Sequence, residues 1–182
     1  MPSNLIANMS TAIHDFKRAR RKAALQELIA RVTGQPVNLL PYEEVRRMLR
    51  TRSKKDKGLH DIPIDAIIGS VGRYTDFTRG FLPRQDSDAD RWARVKVQAV
   101  GLKGLPPIEV YKIGDAYFVR DGNHRVSVAR ELGADHIQAY VTEVESDVPV
   151  SPDMDFDDLI LKAEYSNFLK WSQLKELHPG VE

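Results

Sequence analysis

The sequence predicts an α+β fold in which a mixed sheet is flanked by helices. Short apolar runs of strand length alternate with amphipathic stretches between residues 59 and 144. The regions before and after this range carry mainly helical periodicity. A chain of 182 residues with 42% hydrophobic residues is long enough for one substantial core with an appendage.

The chain is predicted to have three parts: a basic helical extension over 1–57, a core over 58–145 and a helical tail over 146–182. In the extension, apolar residues recur at helical spacing over Ser10–Val32, and Gly34 and Pro36 then end the predicted helix. Pro41 fits the first turn of a second helix. The polar, basic segment Thr51–Gly58 is predicted to be a linker.

The core begins with a β-rich run, predicted as one strand over Asp61–Ile68, and a glycine-containing loop follows. Asp88–Val100 fits both strand alternation and a capped helix closed by Gly101, and we favour the helix. The remaining predicted elements are a strand at Pro107–Lys112, a strand at Asp115–Arg120, a helix at Asn123–Leu132, a strand at His136–Val144 and a helical segment at Asp155–Leu177.

Charge is distributed unevenly although the net charge is only +1. Residues 17–57 hold 13 basic and 4 acidic side chains, and the rest of the chain is acidic on balance. Such a basic arm can steer an anionic partner, including DNA or RNA. Two other interpretations stay open: its arginines pair with acids elsewhere, or its helix packs on a second subunit in a homodimer.

Several classes of function are excluded. No apolar run is long enough to span a bilayer, and no signal peptide is recognisable, so we expect a cytoplasmic protein without a membrane partner. The absence of cysteine excludes disulfides, thiolate metal sites and cysteine nucleophiles.

The most informative stretch is Asp121-Gly122-Asn123-His124-Arg125, where an apolar strand turns directly into a helix. The first amides of a helix have no helical acceptor, and the helix dipole favours negative charge there. Gly122 lets a ligand approach the backbone, and Asp121 could cap the helix or hold a metal–phosphate complex. A phosphate is the predicted guest. The alternative is a structural turn whose polar residues only cap the helix.

The helix itself is predicted to pack on the sheet through Val126, Ala129 and Leu132. This packing would leave its first three residues free at the entrance of the site.

These features resemble the ParB/sulfiredoxin superfamily over roughly residues 59 to 144. The resemblance is carried by Ile108-Glu109-Val110, by the stretch from Val119 to Arg125, and by the Ile62–Ile68 run followed by a loop with Arg73. It implies nucleotide phosphates on the glycine-turn helix: CTP in partition proteins, ATP in sulfiredoxins, and ADP or ATP in free serine kinases. The implied phosphate contacts are Gly122, Asn123, His124 and Arg125, with Arg73 in the opposing loop.

The sequence also departs from each branch. Asn123 stands where sulfiredoxins need a cysteine, which excludes sulfinic acid reduction. Partition proteins carry several arginines in this motif and a further DNA-reading domain, for which few residues remain after Val144. The Asp-Gly-x-His-Arg form is closest to the free serine kinase branch, yet the loop Gly69–Phe77 lacks that branch's catalytic glutamate and offers only Asp76.

The leading hypothesis is a nucleotide-binding regulatory or partition-like protein, with ATP, ADP or CTP left open. Arg125 would neutralise phosphate charge, His124 would donate a hydrogen bond, and Asp121 would bind Mg²⁺. The first alternative is a small-molecule kinase or nucleotide hydrolase that uses Asp121 and His124 as catalytic residues. The second alternative is a protein-interaction module that binds no ligand.

Overall fold

The computed structural model describes residues 2–101 and 104–172. The helices of this part are α1 Pro2–Thr33, α2 Tyr42–Met48, α3 Ala89–Ala99, α4 Asn123–Glu131 and α5 Phe156–Ser172. The strands are β1 Leu40–Pro41, β2 Lys54–Pro63, β3 Ile67–Ser70, β4 Ile108–Ile113, β5 Ala116–Asp121 and β6 His136–Val144. Within these residues, no helix is both long and apolar enough to span a membrane.

The six strands form one mixed sheet in the order β1-β3-β5-β4-β6-β2. Strands β1, β3 and β5 are parallel neighbours, so their carboxyl ends meet at one edge of the sheet. Strand β4 runs antiparallel to β5 and parallel to β6, and β2 pairs antiparallel with β6. The predicted fold class, a mixed sheet with flanking helices, is confirmed.

Most predicted elements lie within a few residues of the observed ones. The ambiguous segment Asp88–Val100 is a helix, because its apolar side of Trp92 and Ala93 is buried under α1 and α4. The predicted C-terminal helix contains α5, and its part beyond residue 172 lies outside the described residues. Leu132, predicted to pack on the sheet, is instead exposed just after α4.

Strand β2 corrects two predictions. The expected linker Thr51–Gly58 is largely strand, and the expected single strand Asp61–Ile68 is the end of β2, a 3-10 turn and β3. Strand β2 lies at the sheet edge and exposes most of its side chains, so its lysines mask the strand pattern. The predicted division between residues 57 and 58 falls inside this strand.

Gly69 lets the N-terminal extension join the sheet. A Cβ atom at this position of β3 would overlap the carbonyl oxygen of Leu40 on β1 and the ring of Phe118 on β5. Because glycine has no such atom, the β1 backbone can approach closely enough to pair with β3.

Helices cover both faces of the sheet. On one face, α4 contributes Val126 and Ala129 to the core, and α1 and α3 pack outside it through Phe16 and Trp92. The rings of Phe16 and Trp92 meet edge to face at 5.8 Å, and the Trp92 indole donates a hydrogen bond of 2.9 Å to Ser127 of α4. Helices α2 and α5 cover the other face.

The packing of α1 gives a stability prediction. Phe16→Ala should lower the free energy of unfolding by about 3–5 kcal/mol, because Phe16 is only 1% exposed and its loss leaves a cavity against Trp92. Leu28→Ala on the same helix is the matched control, since Leu28 is 58% exposed and should change stability by about 0.5 kcal/mol or less. Equal effects in chemical denaturation would show that α1 is not docked as described.

Candidate functional site

The candidate site lies where two neighbouring parallel strands end. Ser70 of β3 is in register with Val119 of β5, so the loop after β3 faces the start of α4. The side-chain amide of Asn123 lies 3.5 Å from the carbonyl oxygen of Gly72, which joins the two loops. Carboxyl ends of parallel strands are where open sheets of this kind hold ligands.

A left-handed turn at Gly122 starts α4 directly after β5. Gly122 has φ +115°, and a Cβ atom there would lie only 2.5 Å from Cγ2 of Ile108. Its carbonyl oxygen accepts the amide hydrogen of Val126 at 3.0 Å, and no side chain caps the helix. In the described part of the chain, the backbone N–H groups of residues 123–125 therefore have no hydrogen-bond acceptor.

These three amides can receive an anion. They lie at the positive end of the α4 dipole, where unpaired backbone N–H groups favour an anion. The prediction that Asp121 caps the helix is wrong, because the structure gives α4 no side-chain cap.

The sequence predicted that Arg125 is free at the entrance of the site, and this prediction is wrong. Its guanidinium donates to the carbonyl oxygens of Pro106, at 3.1 Å, and Pro107, and it pairs with the carboxylate of Asp121. The arginine side chain therefore fixes the loop before β4 against the end of β5. Asp121 keeps 64% of its side chain exposed in this pair.

Arg73 lies in the opposing loop, as the resemblance implies, and organises a partly buried polar cluster. Its Nε donates to Asp76 and its Nη2 to Asp88, both at 2.6 Å, and its Nη1 lies 3.2 Å from Nε2 of His124. We refer to Arg73, Asp76, Asp88 and His124 as the Arg73 cluster. Two carboxylates on one guanidinium leave this cluster with excess negative charge.

The protonation state of His124 follows from its surroundings. Arginine can only donate, so Nε2 of His124 accepts from Arg73 and the proton of the neutral ring resides on Nδ1. The residue is 5% exposed and its ring meets Phe77 edge-on at 5.2 Å. The pKa of His124 is lowered from 6.5 to about 4, chiefly by burial; Arg73 and Arg91 act in the same direction, and Asp88 opposes them. The imidazole is neutral at pH 7, and its Nδ1–H group is available as a hydrogen-bond donor.

Asn123 is also buried. The prediction that Asn123 and His124 are free at the entrance of the site is therefore wrong. Three buried polar atoms at the site have no partner in residues 2–101 and 104–172. They are Nδ1 of His124, Oδ1 of Asn123 and Oδ2 of Asp88. Buried polar atoms are nearly always hydrogen-bonded in folded proteins, so such a group indicates a place for a bound polar molecule. Here two of the unpartnered atoms belong to the first turn of α4, and the third belongs to Asp88 of the Arg73 cluster.

Asp88 is a site residue that the sequence analysis missed. It was assigned to the cap of a helix, but its side chain makes no capping bond to α3 and binds Arg73 instead. No local pattern reveals this contact, because the partner lies 15 residues away across an irregular loop.

A magnesium site made only by protein side chains does not fit the described residues. They contain no group of three or more histidines and carboxylates that could hold a metal, and the predicted ligand Asp121 is engaged with Arg125. Mg²⁺ commonly uses one or two carboxylates together with phosphate oxygens of a ligand. Mg²⁺ at Asp121 stays a prediction.

No family model matches the chain, and no curated protein matches it. Among solved structures, it is similar to sulfiredoxin from Arabidopsis thaliana, with 16% identity and a TM-score of 0.37 over 48% of this chain and 86% of that chain. It is also similar to the C-terminally truncated chromosome-partitioning protein ParB from Caulobacter crescentus complexed with CTP-gamma-S. That match has 16% identity and a TM-score of 0.36 over 65% of this chain and 63% of that chain, less than two thirds of its length. Both likenesses concern the fold alone.

The buried imidazole predicts a specific loss of stability in acid. Because the folded pKa of His124 is lowered, the unfolded chain takes up a proton below pH 6.5 while the folded protein does not until about pH 4. Between these values the free energy of unfolding should fall by about 1.4 kcal/mol for each pH unit from this residue alone. This contribution of His124 to the free energy of unfolding is fully present above pH 6.5.

Denaturant unfolding over this pH range, compared between the wild type and His124→Gln, measures the effect. The variant lacks the titrating ring, so the difference between the two curves should shrink steadily as the pH falls. A constant difference would contradict a neutral, buried His124.

Proposed function

We propose that this protein binds a nucleotide by its phosphates at the start of α4. The observation that carries the proposal is the set of three amides at residues 123–125, which follow the Gly122 bend and have no acceptor in the described part of the chain. Phosphate oxygens are the acceptors that a free helix N-terminus binds best.

The surrounding side chains support binding of an anion at this place. His124 offers a buried N–H with no protein partner in the described residues, next to the free amides of the same turn. Arg125 holds the turn by binding Pro107 and Asp121, so its contribution is to position the amides. Direct contact of Arg125 with phosphate would require it to leave Asp121, which an incoming polyphosphate can induce by competing for the guanidinium.

The arrangement favours binding and regulation over turnover. Asp76 and Asp88 both bind Arg73, and His124 holds no ionisable proton near neutral pH. One observation favours an enzyme as the second candidate: Oδ2 of Asp88 is buried without a partner in the described residues. Such a carboxylate can accept a proton from a hydroxyl substrate, which is the role of a base in phosphoryl transfer.

Contact of residues 17–57 with nucleic acid is a further part of the proposal, with less support. Several basic side chains of this arm already pair with carboxylates, which agrees with the interpretation that its arginines are neutralised by acidic residues. The paired side chains are Arg18, Arg20, Arg46, Arg52 and Lys57. The second half of α1 also exposes Leu25, Leu28, Ile29 and Val32, which suits packing on a second subunit as well. A homodimer stays a prediction.

A charge at the first position of α4 tests the phosphate site. Asn123→Asp should weaken binding of tripolyphosphate and of nucleoside triphosphates by about tenfold or more, because the carboxylate repels the phosphates and competes for the free amides. The new carboxylate is buried beside the Arg73 cluster, so its desolvation outweighs the favourable helix dipole and thermal stability should fall. Titration calorimetry and a thermal melt measure the two effects.

Asn123→Ala is the matched control, because it removes the weak contact with Gly72 and leaves the amides free without adding charge. The affinity of Asn123→Ala for tripolyphosphate and for nucleoside triphosphates should stay within about threefold of the wild-type value. Equal affinity of wild type and Asn123→Asp, or no binding of any of these ligands to the wild type, would overturn the proposal. Release of phosphate from ATP by the wild type, abolished in Asp88→Asn, would favour the enzyme candidate.

A further inference from the structure

A second cavity lies beside the start of α2, at the side of the sheet where β1 ends. It has a volume of about 400 Å³. Its walls come from β1, α2, the loop after β3 and the first residue of α5. The lining residues that matter are Leu40, Pro41, Glu44, Tyr74, Thr75 and Phe156.

The cavity opens at the same edge of the sheet as the phosphate site. Pro41 of β1 is in register with Ser70 of β3, which is in register with Val119 of β5. Two strand spacings separate β1 from β5, or ~10 Å. The loop after β3 borders both places, because Tyr74 lines the cavity and Arg73 binds His124 of α4. A single ligand of nucleotide size can therefore reach both.

The walls of the cavity suit a planar ring. Leu40 is buried, and Pro41 and Phe156 are half-buried against the same space. The Tyr74 side chain is 37% exposed at the cavity, so one aromatic surface is open to a ligand. Aromatic side chains bind the faces of nucleobases by stacking, whichever base is present.

Two polar groups on the cavity wall can read the edge of such a ring. Glu44 has no hydrogen-bond or ion-pair partner in the described part of the chain, whereas its neighbour Glu43 pairs with Arg46 at 3.1 Å. The side-chain oxygen of Asn38 accepts a bond of 2.8 Å from Arg84, which leaves its NH₂ group as a donor. A carboxylate acceptor beside an amide donor matches a base edge that offers an amino group and a ring nitrogen.

We propose that this cavity binds the base of the nucleotide whose phosphates rest on α4, and that it selects bases with an exocyclic amino group over their oxo counterparts. This inference rests on the proposed function. Three of the walls, at Pro41, Glu44 and Phe156, lie outside residues 59 to 144, so base selection comes from the extension and the tail of this chain. The part that resembles the superfamily contributes Tyr74, Thr75 and Arg84.

The test compares matched ligands by titration calorimetry. ATP and CTP carry amino groups where ITP and UTP carry oxo groups, and tripolyphosphate carries no base. The wild type should bind ATP and CTP about tenfold more tightly than ITP and UTP, since a hydrogen bond to a charged acceptor is lost with the amino group. Glu44→Ala should reduce this preference to about twofold, and the control Glu43→Ala should keep it.

Tyr74→Ala separates the base from the phosphates. It should weaken all four nucleoside triphosphates by about tenfold through lost stacking and leave tripolyphosphate affinity unchanged, which also shows that the variant is folded. Equal affinity for amino and oxo partners, or no effect of Tyr74→Ala on the triphosphates, would overturn the base pocket while tripolyphosphate binding upholds the phosphate site. Binding of adenosine that Tyr74→Ala weakens, without any binding of tripolyphosphate, would uphold the pocket and overturn the proposed function.

Discussion

The backbone N–H groups of residues 123–125 have no hydrogen-bond acceptor in the described residues. The reason is that Gly122 follows β5 and starts α4 within a single left-handed turn. Most of the site depends on this constraint. The turn is possible only without a Cβ atom beside Ile108, and Arg125 fixes it by binding Asp121. The parallel pairing of β3 with β5 then brings the loop after β3 to face these amides.

Both guanidinium groups near the amides are paired with carboxylates, and the Arg73 cluster keeps excess negative charge. Arg73 is paired with Asp76 and Asp88, and Arg125 with Asp121, so anion affinity comes from the backbone and the helix dipole before any side chain moves. Partly exposed ion pairs of this kind add little net stability, but they hold side chains in one place. The unpartnered atoms of His124 and Asp88 then mark where a ligand can form hydrogen bonds with the protein.

The sequence predicts the parts of this protein that depend on local patterns. Strand β6 and the start of α4 follow from alternation and a glycine turn, and these signals lie within a few residues of one another. The segment of α3 fits both strand and helix patterns, and its burial under α1 and α4 decides for the helix. Edge strand β2 escaped prediction because its exposed lysines show no alternation. The contacts of Arg73 with Asp88 and of Arg125 with Pro107 join separate segments, so no spacing rule could give them. Their other partners, Asp76 and Asp121, lie three and four residues away in the chain.

The most direct test of the account is a titration of the isotope-labelled full chain with tripolyphosphate, followed through its backbone amide resonances. If the amides at the start of α4 receive the phosphates, then the resonances of Asn123, His124 and Arg125 shift most and saturate together, and Asn123→Asp needs at least about tenfold more tripolyphosphate to reach half-saturation. Saturable binding that leaves these three amides unshifted would contradict the account.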